Sequence, residues 1–506
     1  MSRSQIAAKN STLAVITMAV TYLLSFIYRT VLVKVMGVEY VGITGLCGNI
    51  INIFSLAELG VSWAISYHLY KPLSYADYKT VAAVVNLLRR IYRYIGAFIA
   101  ITGLVVLPFL TTLVKSDKPI DHLQLIYILF LANTVLSYLF FAYYQILISA
   151  DRKDYLLFRP KVLIPFICTI LQILVLVFFH NFLLTVILLC LSTLLKNLWM
   201  ALIGNRTYPF LHQYKNEALG QELKKQIVDY IKATMIYKIS LTLYQSASSI
   251  IISSFKGIAI YGIYSNFVLI VDTVKGVILN LINPLTSVIG EINAAESAGY
   301  KIVIYRRLNF LMEWICCFCS VCFLTLMNPF VEIWLGKEFT LPISTIILIV
   351  VFFYLEFITA FSTKFRDACG LNHIGKYRPV FTAVIDIVLS LVLVNKMGLN
   401  GVLLAMSIAR LTTITWFEPW IVHKNVFGSS VMEYYMELLQ NLLITTISSL
   451  CVFWLSSFIW NGSVFSFILL CVICVIIPNV IQILVYRRND AYMYYEALVV
   501  DKLHKI

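Results

Sequence analysis

Long apolar runs separated by short polar segments repeat along the whole chain. Fourteen runs come close to or exceed the roughly 20 residues that an α-helix needs to cross a bilayer. The predicted spans are 11–33, 40–66, 94–114, 123–149, 162–180, 182–203, 234–255, 261–289, 308–332, 341–363, 380–395, 400–422, 436–459 and 464–486. The pattern therefore predicts an all-α, polytopic membrane protein with about 14 transmembrane helices.

Composition agrees with the pattern. Of 506 residues, 60% are hydrophobic and 13% are charged, which excludes an ordinary soluble protein of this length. The net charge of +14 does not call for a nucleic-acid partner, because Lys and Arg collect in cytoplasmic loops of membrane proteins. With the N-terminus inside, 28 Lys and Arg fall on the inner side and 6 in the outer turns. We therefore expect both termini in the cytoplasm.

The 11 cysteines lie almost entirely in the apolar runs. Four cluster between Cys316 and Cys322, and Cys471 with Cys474 repeats a CxxC spacing. No His lies close by, and cysteine in an apolar environment behaves as a small hydrophobic residue. We interpret these residues as packing residues and predict neither a metal site nor a cofactor.

Charged side chains at membrane depth are costly and usually face a protein interior or a wet cavity. The candidates for a substrate-binding cavity are Arg29, Glu58, Lys238, Asp272, Lys275 and Arg410. Each has a simpler interpretation as well. Arg29 and Lys238 lie near span ends and could extend to the membrane surface. Glu58 could be a counter-ion to Arg29, and Asp272 with Lys275 has the i,i+3 spacing of a neutralising helix pair. Glu356 and Asp386 are further acidic residues inside spans that could titrate.

Two short repeats relate the halves of the chain. GVEYVGI begins at Gly37 and GIAIYGI at Gly257, an offset of 220 residues. Phe158-Arg159-Pro160 and Tyr377-Arg378-Pro379 have an offset of 219. These matches predict two six-helix halves of the same orientation, as in parallel-repeat transporters. The predicted divisions are an N-terminal lobe at 1–204, a cytoplasmic amphipathic linker at 205–233, a C-terminal lobe at 234–425, and two extra helices with a cytoplasmic tail at 426–506.

The sequence resembles bacterial repeat-unit flippases of the multidrug/oligosaccharidyl-lipid/polysaccharide exporter superfamily. The resemblance rests on FIYRT from Phe26, MGVEYVGITGL from Met36, AELGVSWAISYHLYKPL from Ala57, KGIAIYGIYSNF from Lys256, FRDACGLNHIGKYRP from Phe365, KMGLNGVLLAMSIARL from Lys396 and FEP from Phe417. It extends over nearly the whole chain. Such flippases pass undecaprenyl-pyrophosphate-linked oligosaccharides across the bacterial cytoplasmic membrane for O-antigen and capsule synthesis.

The resemblance implies two lobes in a V around a central basic cavity, with alternating access. We expect Arg29, Arg410 and Lys275 to pair with the substrate pyrophosphate, because arginine can pair with two phosphate oxygens and stays charged. Arg366, Asp367 and Arg378 resemble family positions and are candidates for an intracellular gate, or for contacts to lipid headgroups. Expected partners are the lipid-linked oligosaccharide, membrane lipids, H⁺ or Na⁺ as coupling ion, and polysaccharide polymerase and glycosyltransferases.

Three other functions compete with this hypothesis. A membrane polymerase or ligase would need large outer loops, whereas the longest outer loops are 115–122 and 333–340. No nucleotide-binding glycine loop and no nucleophile with a partnered base occurs, so we predict no enzyme activity. A drug exporter of the same superfamily would have a more acidic cavity. The third alternative is that the protein is a structural partner of a glycan synthase.

Overall fold

The computed structural model describes residues 3–55, 61–116, 118–371 and 374–503. In those ranges the regular elements are helices, and no strand occurs. The chain forms two compact units, Met1–Ser265 and Asn266–Ile506. The predicted all-α fold is confirmed.

The first unit is built from helices of unequal length joined by short turns. They are α1 (Arg3–Met36), α2 (Val38–Phe54), α3 (Val61–Ser74), α4 (Tyr78–Val106), α5 (Leu110–Leu113), α6 (Leu123–Leu139), α7 (Tyr143–Ala150), α8 (Phe158–Phe179), α9 (Phe182–Thr207), α10 (Phe210–Gln213) and α11 (Gln221–Lys256). Several of these helices have a polar residue at the N-cap position. The Asp77 carboxylate accepts the Thr80 N–H at 3.1 Å at the start of α4, and this hydrogen bonding holds the pKa of Asp77 below its usual range.

The second unit begins within α12 and continues to the C-terminal tail. Its helices are α12 (Ile258–Ile282), α13 (Leu285–Ala295), α14 (Ala298–Trp334), α15 (Ile343–Phe357), α16 (Ala360–Ala368), α17 (Arg378–Met397), α18 (Leu399–Arg410), α19 (Phe417–Val422), α20 (Met432–Ile459), α21 (Val464–Tyr486) and α22 (Asp490–Leu503). The long helix α14 packs against α15, α20 and α21, while α18 packs against α15 and α17. The unit is therefore centred on α14 and α18.

Eleven helices of the described ranges are long and apolar enough to cross a membrane, or twelve if the bent pair α6 and α7 is one span. Of the two remaining predicted spans, 40–66 falls on α2, a shorter apolar helix of 17 residues, and on the start of the separate helix α3. The other, 234–255, falls on α11. Large apolar side chains such as Leu450, Trp454 and Phe465 are exposed on α20 and α21, as expected of surfaces that face lipid. The chain is a multi-pass membrane protein.

The seventh predicted span is not a separate element. We expected an amphipathic linker at 205–233 and a membrane span beginning at 234, but α11 continues from Gln221 to Lys256 without a break. Both segments are compatible with helix, and neither Gly nor Pro lies between Gln221 and Lys256. The amphipathic segment and the apolar segment therefore form one helix of 36 residues.

The two copies of the glycine repeat have the same local backbone and lie against each other within the first unit. Gly37 (φ 95°, ψ 168°) precedes α2, and Gly257 (φ 98°, ψ 155°) precedes α12. A Cβ added to Gly42 would lie 2.4 Å from the Ile258 carbonyl oxygen, and one added to Gly262 would lie 2.2 Å from the Val38 carbonyl oxygen. Glycine is needed at both positions because the backbones of α2 and α12 approach so closely.

The cysteines of α14 and α21 lie in apolar clusters. Cys317 packs with Phe310, Ile444 and Tyr486, and Cys474 packs with Val321 and Val452. Outside the spans, burial raises the pKa of the Cys369 thiol, which lowers its reactivity. No group of three or more His, Cys, Asp or Glu able to hold a metal ion occurs in the described part of the chain.

Candidate functional site

Four charged residues from three helices of the second unit come together. Lys275 on α12 contacts the Glu356 carboxylate on α15, and its Nζ lies 3.7 Å from Oδ1 of Asp272 one turn earlier. The same Nζ lies 5.7 Å from the centre of the Phe352 ring. We call Asp272, Lys275, Glu356 and Arg410 the α12 charge group. Lys275 therefore has two acidic partners instead of the one that the i,i+3 spacing predicted.

Arg410 joins this group through the end of α15. Its Nε donates to the carbonyl oxygen of Leu355 at 2.9 Å, and its Nη2 donates to that of Glu356 at 3.0 Å. The last carbonyls of a helix have no partner within the helix, and the negative end of the helix dipole favours a cation. Arg410 thus caps α15, a role that we did not predict from the sequence.

The members of the α12 charge group differ in exposure. The side chain of Asp272 is 59% exposed, that of Glu356 is 30% exposed and that of Lys275 is 17% exposed. The group carries two acidic and two basic side chains and is formally neutral. An anionic ligand reaching Lys275 would compete with the more distant and more exposed Asp272 before it competed with Glu356.

The three predicted gate residues also come together, around a residue that we did not select. Arg366 on α16 and Arg378 at the start of α17 both bind Oε1 of Glu418 on α19. Arg366 Nη2 also donates to Asp367 Oδ1 at 2.8 Å. We call these four residues the α19 ion network. The side chains of Arg366 and Glu418 are 4% and 1% exposed, so the network ties three helices together inside the protein.

The remaining predicted residues do not belong to these groups. Arg29 on α1 donates from Nη1 to Ser265 Oγ at 2.9 Å, within the first unit. Glu58 lies outside the described residues. Lys238 lies on α11, but its side chain is outside the described part of the structure.

Two buried acidic residues of the second unit stand apart from both groups. Asp386 on α17 is 1% exposed and accepts a hydrogen bond from Ser390 at 3.3 Å. Glu313 on α14 is 4% exposed and accepts from Asn309 at 2.7 Å. Asp386 was recognised from the sequence as a residue able to titrate. Glu313 was missed, although its charge inside a predicted span was the same signal.

Comparison with known proteins identifies the fold. No family model matches the sequence, and no curated protein matches it. Among solved structures, the lipid II flippase MurJ in an inward closed conformation superposes with a TM-score of 0.65 at 12% identity, covering 94% of this chain and 98% of the flippase. An inward-facing MATE-family multidrug transporter gives 0.62 at 16% identity, covering 78% of this chain and 92% of the transporter.

A transporter of the MOP superfamily from Pyrococcus furiosus, described as having a binding pocket of reverse polarity, gives a TM-score of 0.53 at 15% identity. The match covers 84% of this chain and 96% of that transporter. These likenesses establish the architecture, because they extend over most of both chains. The protein has the polytopic α-helical fold found in MOP-superfamily transporters.

Proposed function

We propose that the protein is a transporter that flips undecaprenyl-pyrophosphate-linked oligosaccharide repeat units from the inner to the outer leaflet of the bacterial cytoplasmic membrane. The supporting observation is the likeness in fold to a lipid II flippase over 94% of this chain. The likeness to the multidrug transporter covers less of the chain, 78%. The exported units would serve surface polysaccharides such as O-antigen or capsule, with a polymerase and glycosyltransferases as functional partners.

The chemistry of the α12 charge group supports an anionic substrate. Lys275 lies beside an exposed Asp272, and a pyrophosphate can replace that carboxylate as its partner. Arg410 holds the end of α15 in place through its two backbone contacts. In this mechanism Lys275 binds the pyrophosphate and Arg410 positions the helix that carries Glu356. Arg29, Glu58 and Lys238 stay candidates for contacts to the substrate.

Transport follows from two states that the substrate binds with different strength. The pyrophosphate enters from the cytoplasmic side, the sugar occupies a polar cavity, and the prenyl chain stays in lipid. The charge bias of 28 to 6 supports a location of both termini in the cytoplasm. The division into lobes at 1–204 and 234–425, the gate role of Arg366, Asp367 and Arg378, and coupling to H⁺ or Na⁺ belong to the same proposal.

A drug exporter is the second candidate, and one observation favours it. Asp272 presents a carboxylate that is 59% exposed, which would attract a cationic drug. Two known structures of similar fold are MATE-family multidrug transporters, one in an inward-facing and one in an outward-facing conformation. The charge of the transported molecule therefore separates the two functions.

The test uses the purified full-length chain in liposomes. One set contains undecaprenyl-pyrophosphate disaccharide with a nitrobenzoxadiazole label on the sugar, and bleaching by external dithionite reports flipping. A second set is loaded with ethidium, and its release reports export of an organic cation. Wild type is compared with Lys275→Gln and with Lys396→Gln, which removes the same charge from an exposed position on α17.

Flipping by wild type and by Lys396→Gln, but not by Lys275→Gln, is the expected result. Ethidium release without flipping would overturn the proposal in favour of the drug exporter. Flipping that Lys275→Gln leaves unchanged would keep the transport function but reject the assigned role of Lys275.

A further inference from the structure

A basic cavity lies in the first unit, away from the α12 charge group. It has a volume of about 310 Å³ and is lined by residues of α4, the α6–α7 break, the end of α9 and the segment that follows it. Its basic lining residues are Arg89, Arg93, His212 and Lys215, and none of the described residues that line it is acidic. The volume is at the lower end of the range of about 300–1,000 Å³ that is typical of ligand sites.

Arg89 is held in a fixed position at this cavity. Its Nη2 donates to the Tyr143 hydroxyl at 3.0 Å, and its guanidinium carbon lies 4.6 Å from the centre of the Tyr143 ring. Its Nε is buried and has no hydrogen-bond partner in the described ranges of the structure. Arg93 follows one turn later, so both guanidinium groups lie on the same face of α4. A guanidinium fork that is already oriented loses less freedom when it binds an anion.

The wall opposite α4 is a break in a membrane span. Helices α6 and α7 meet at 49°, and Phe141 between them has φ 61°, a left-handed conformation that is costly for a residue with a Cβ. Phe141, Tyr143 and Tyr144 all line the cavity. Irregular backbone at membrane depth is tolerated where it lines a cavity.

The last wall is the end of α9. Tyr144 donates its hydroxyl to Asn205 Oδ1, and His212 Nε2 lies 3.2 Å from the same oxygen. A Cβ at Gly204 would lie 2.1 Å from the Tyr144 ring, so the tyrosine fills the space that this glycine leaves. These contacts fix the walls, and among the described lining residues the basic groups have no acidic residue to neutralise them.

The cavity lies at the level of the predicted inner membrane surface. Arg89 and Arg93 precede the predicted span 94–114, and Asn205, His212 and Lys215 follow the predicted span 182–203. Four basic groups, tyrosine hydroxyls and no carboxylate suit a phosphate group. We propose that this cavity binds a phosphate group, carried by an anionic phospholipid headgroup or free in solution. This site is separate from the transport site and does not depend on the proposed function.

The experiment measures lipid binding to the full-length chain in non-ionic detergent by native mass spectrometry. Phosphatidylglycerol and phosphatidylcholine with identical acyl chains are the two probes. The test variant is Arg93→Gln with Lys215→Gln, which leaves the Arg89 contact to Tyr143 intact. The matched control is Arg90→Gln with Arg206→Gln, which removes two exposed basic residues from α4 and α9 that do not line the cavity.

We expect wild type and the control to bind phosphatidylglycerol about tenfold more strongly than phosphatidylcholine, as charge-assisted hydrogen bonds predict. The test variant is expected to lose most of that difference. A second arm follows thermal unfolding in sodium phosphate against sodium chloride at equal ionic strength, because a bound ligand stabilises the folded state.

If phosphate raises the unfolding temperature of wild type and not of the test variant, free phosphate is sufficient for binding. If only the phosphatidylglycerol arm distinguishes the test variant from wild type and the control, the site binds the phosphate of a lipid headgroup that carries a net negative charge. Equal behaviour of the test variant and the control in both arms would overturn the proposal. Tyr143→Phe, which removes the hydroxyl that orients Arg89, should weaken binding less than the double variant.

Discussion

The α12 charge group and the α19 ion network both pair acidic with basic side chains, but they differ in how far those side chains are exposed. Both place two acidic and two basic residues in the second unit, but Glu418 of the network is 1% exposed whereas Asp272 of the charge group is 59% exposed. A buried network gives up the hydration of its charges and must satisfy them internally. A partly exposed group can exchange one partner for a ligand. We propose from this comparison that the network stabilises the helices of the proposed gate, whereas the charge group binds substrate.

The largest expected effect comes from breaking the buried network. Glu418→Gln removes the carboxylate that both Arg366 and Arg378 bind. We expect the free energy of unfolding in detergent micelles to fall by about 3–5 kcal/mol, because two buried guanidinium groups lose their shared partner. The matched control is Glu433→Gln, which breaks the exposed pair with Arg306 and should cost less than about 1 kcal/mol. Equal losses in the two variants would contradict a structural role for the network.

A smaller effect is expected at the end of α15. Arg410→Gln removes two charge-assisted hydrogen bonds to the carbonyl oxygens of Leu355 and Glu356. We expect unfolding free energy to fall by about 1–3 kcal/mol. The unfolding free energy of Arg410→Lys should lie between those of wild type and Arg410→Gln, since lysine keeps the charge but not the planar fork. If Arg410→Gln stops flipping without loss of stability, Arg410 binds substrate directly and the capping interpretation is wrong.

The smallest effect on stability is expected at Asp272. Its side chain is exposed and Lys275 keeps Glu356 as a partner, so Asp272→Asn should cost less than about 0.5 kcal/mol. Binding of the labelled undecaprenyl-pyrophosphate disaccharide should strengthen by up to about fivefold, because a competing charge near 4 Å is worth about 1 kcal/mol in water. Export of ethidium should weaken under the same change if the protein is a drug exporter. The sign of this effect therefore tests the assignment of binding to the α12 charge group.

Much of the helical architecture could be predicted from the hydrophobic pattern of the sequence. The predicted span 464–486 has the same bounds as α21 (Val464–Tyr486), because a turn rich in Asn, Gly and Ser precedes it and two arginines follow it. The continuity of α11 could not be read in the same way. A change from amphipathic to apolar composition indicates a change of surroundings, and it does not by itself end a helix.

The contacts within the candidate site were less accessible to sequence reasoning. Glu418 meets Arg366 across 52 positions of the sequence, and no local spacing predicts such a pair. Arg410 binds two backbone carbonyl groups, which every residue possesses, so the sequence contains no signal for its partners. Spacing did identify Asp272 with Lys275, because helix geometry places residues three apart on one face. Local pairs could be predicted, whereas the packing of helices that brings in Glu356 and Glu418 could not.

The close approach of α2 and α12 has a consequence for how this sequence can change over time. At Gly42 and Gly262 the obstacle to a larger side chain is the carbonyl oxygen of Ile258 or Val38, and no mutation removes a carbonyl. A second substitution elsewhere cannot compensate unless the helices separate. Both positions are therefore confined to glycine, and the two copies of the seven-residue repeat, which begin 220 residues apart, both have glycine there.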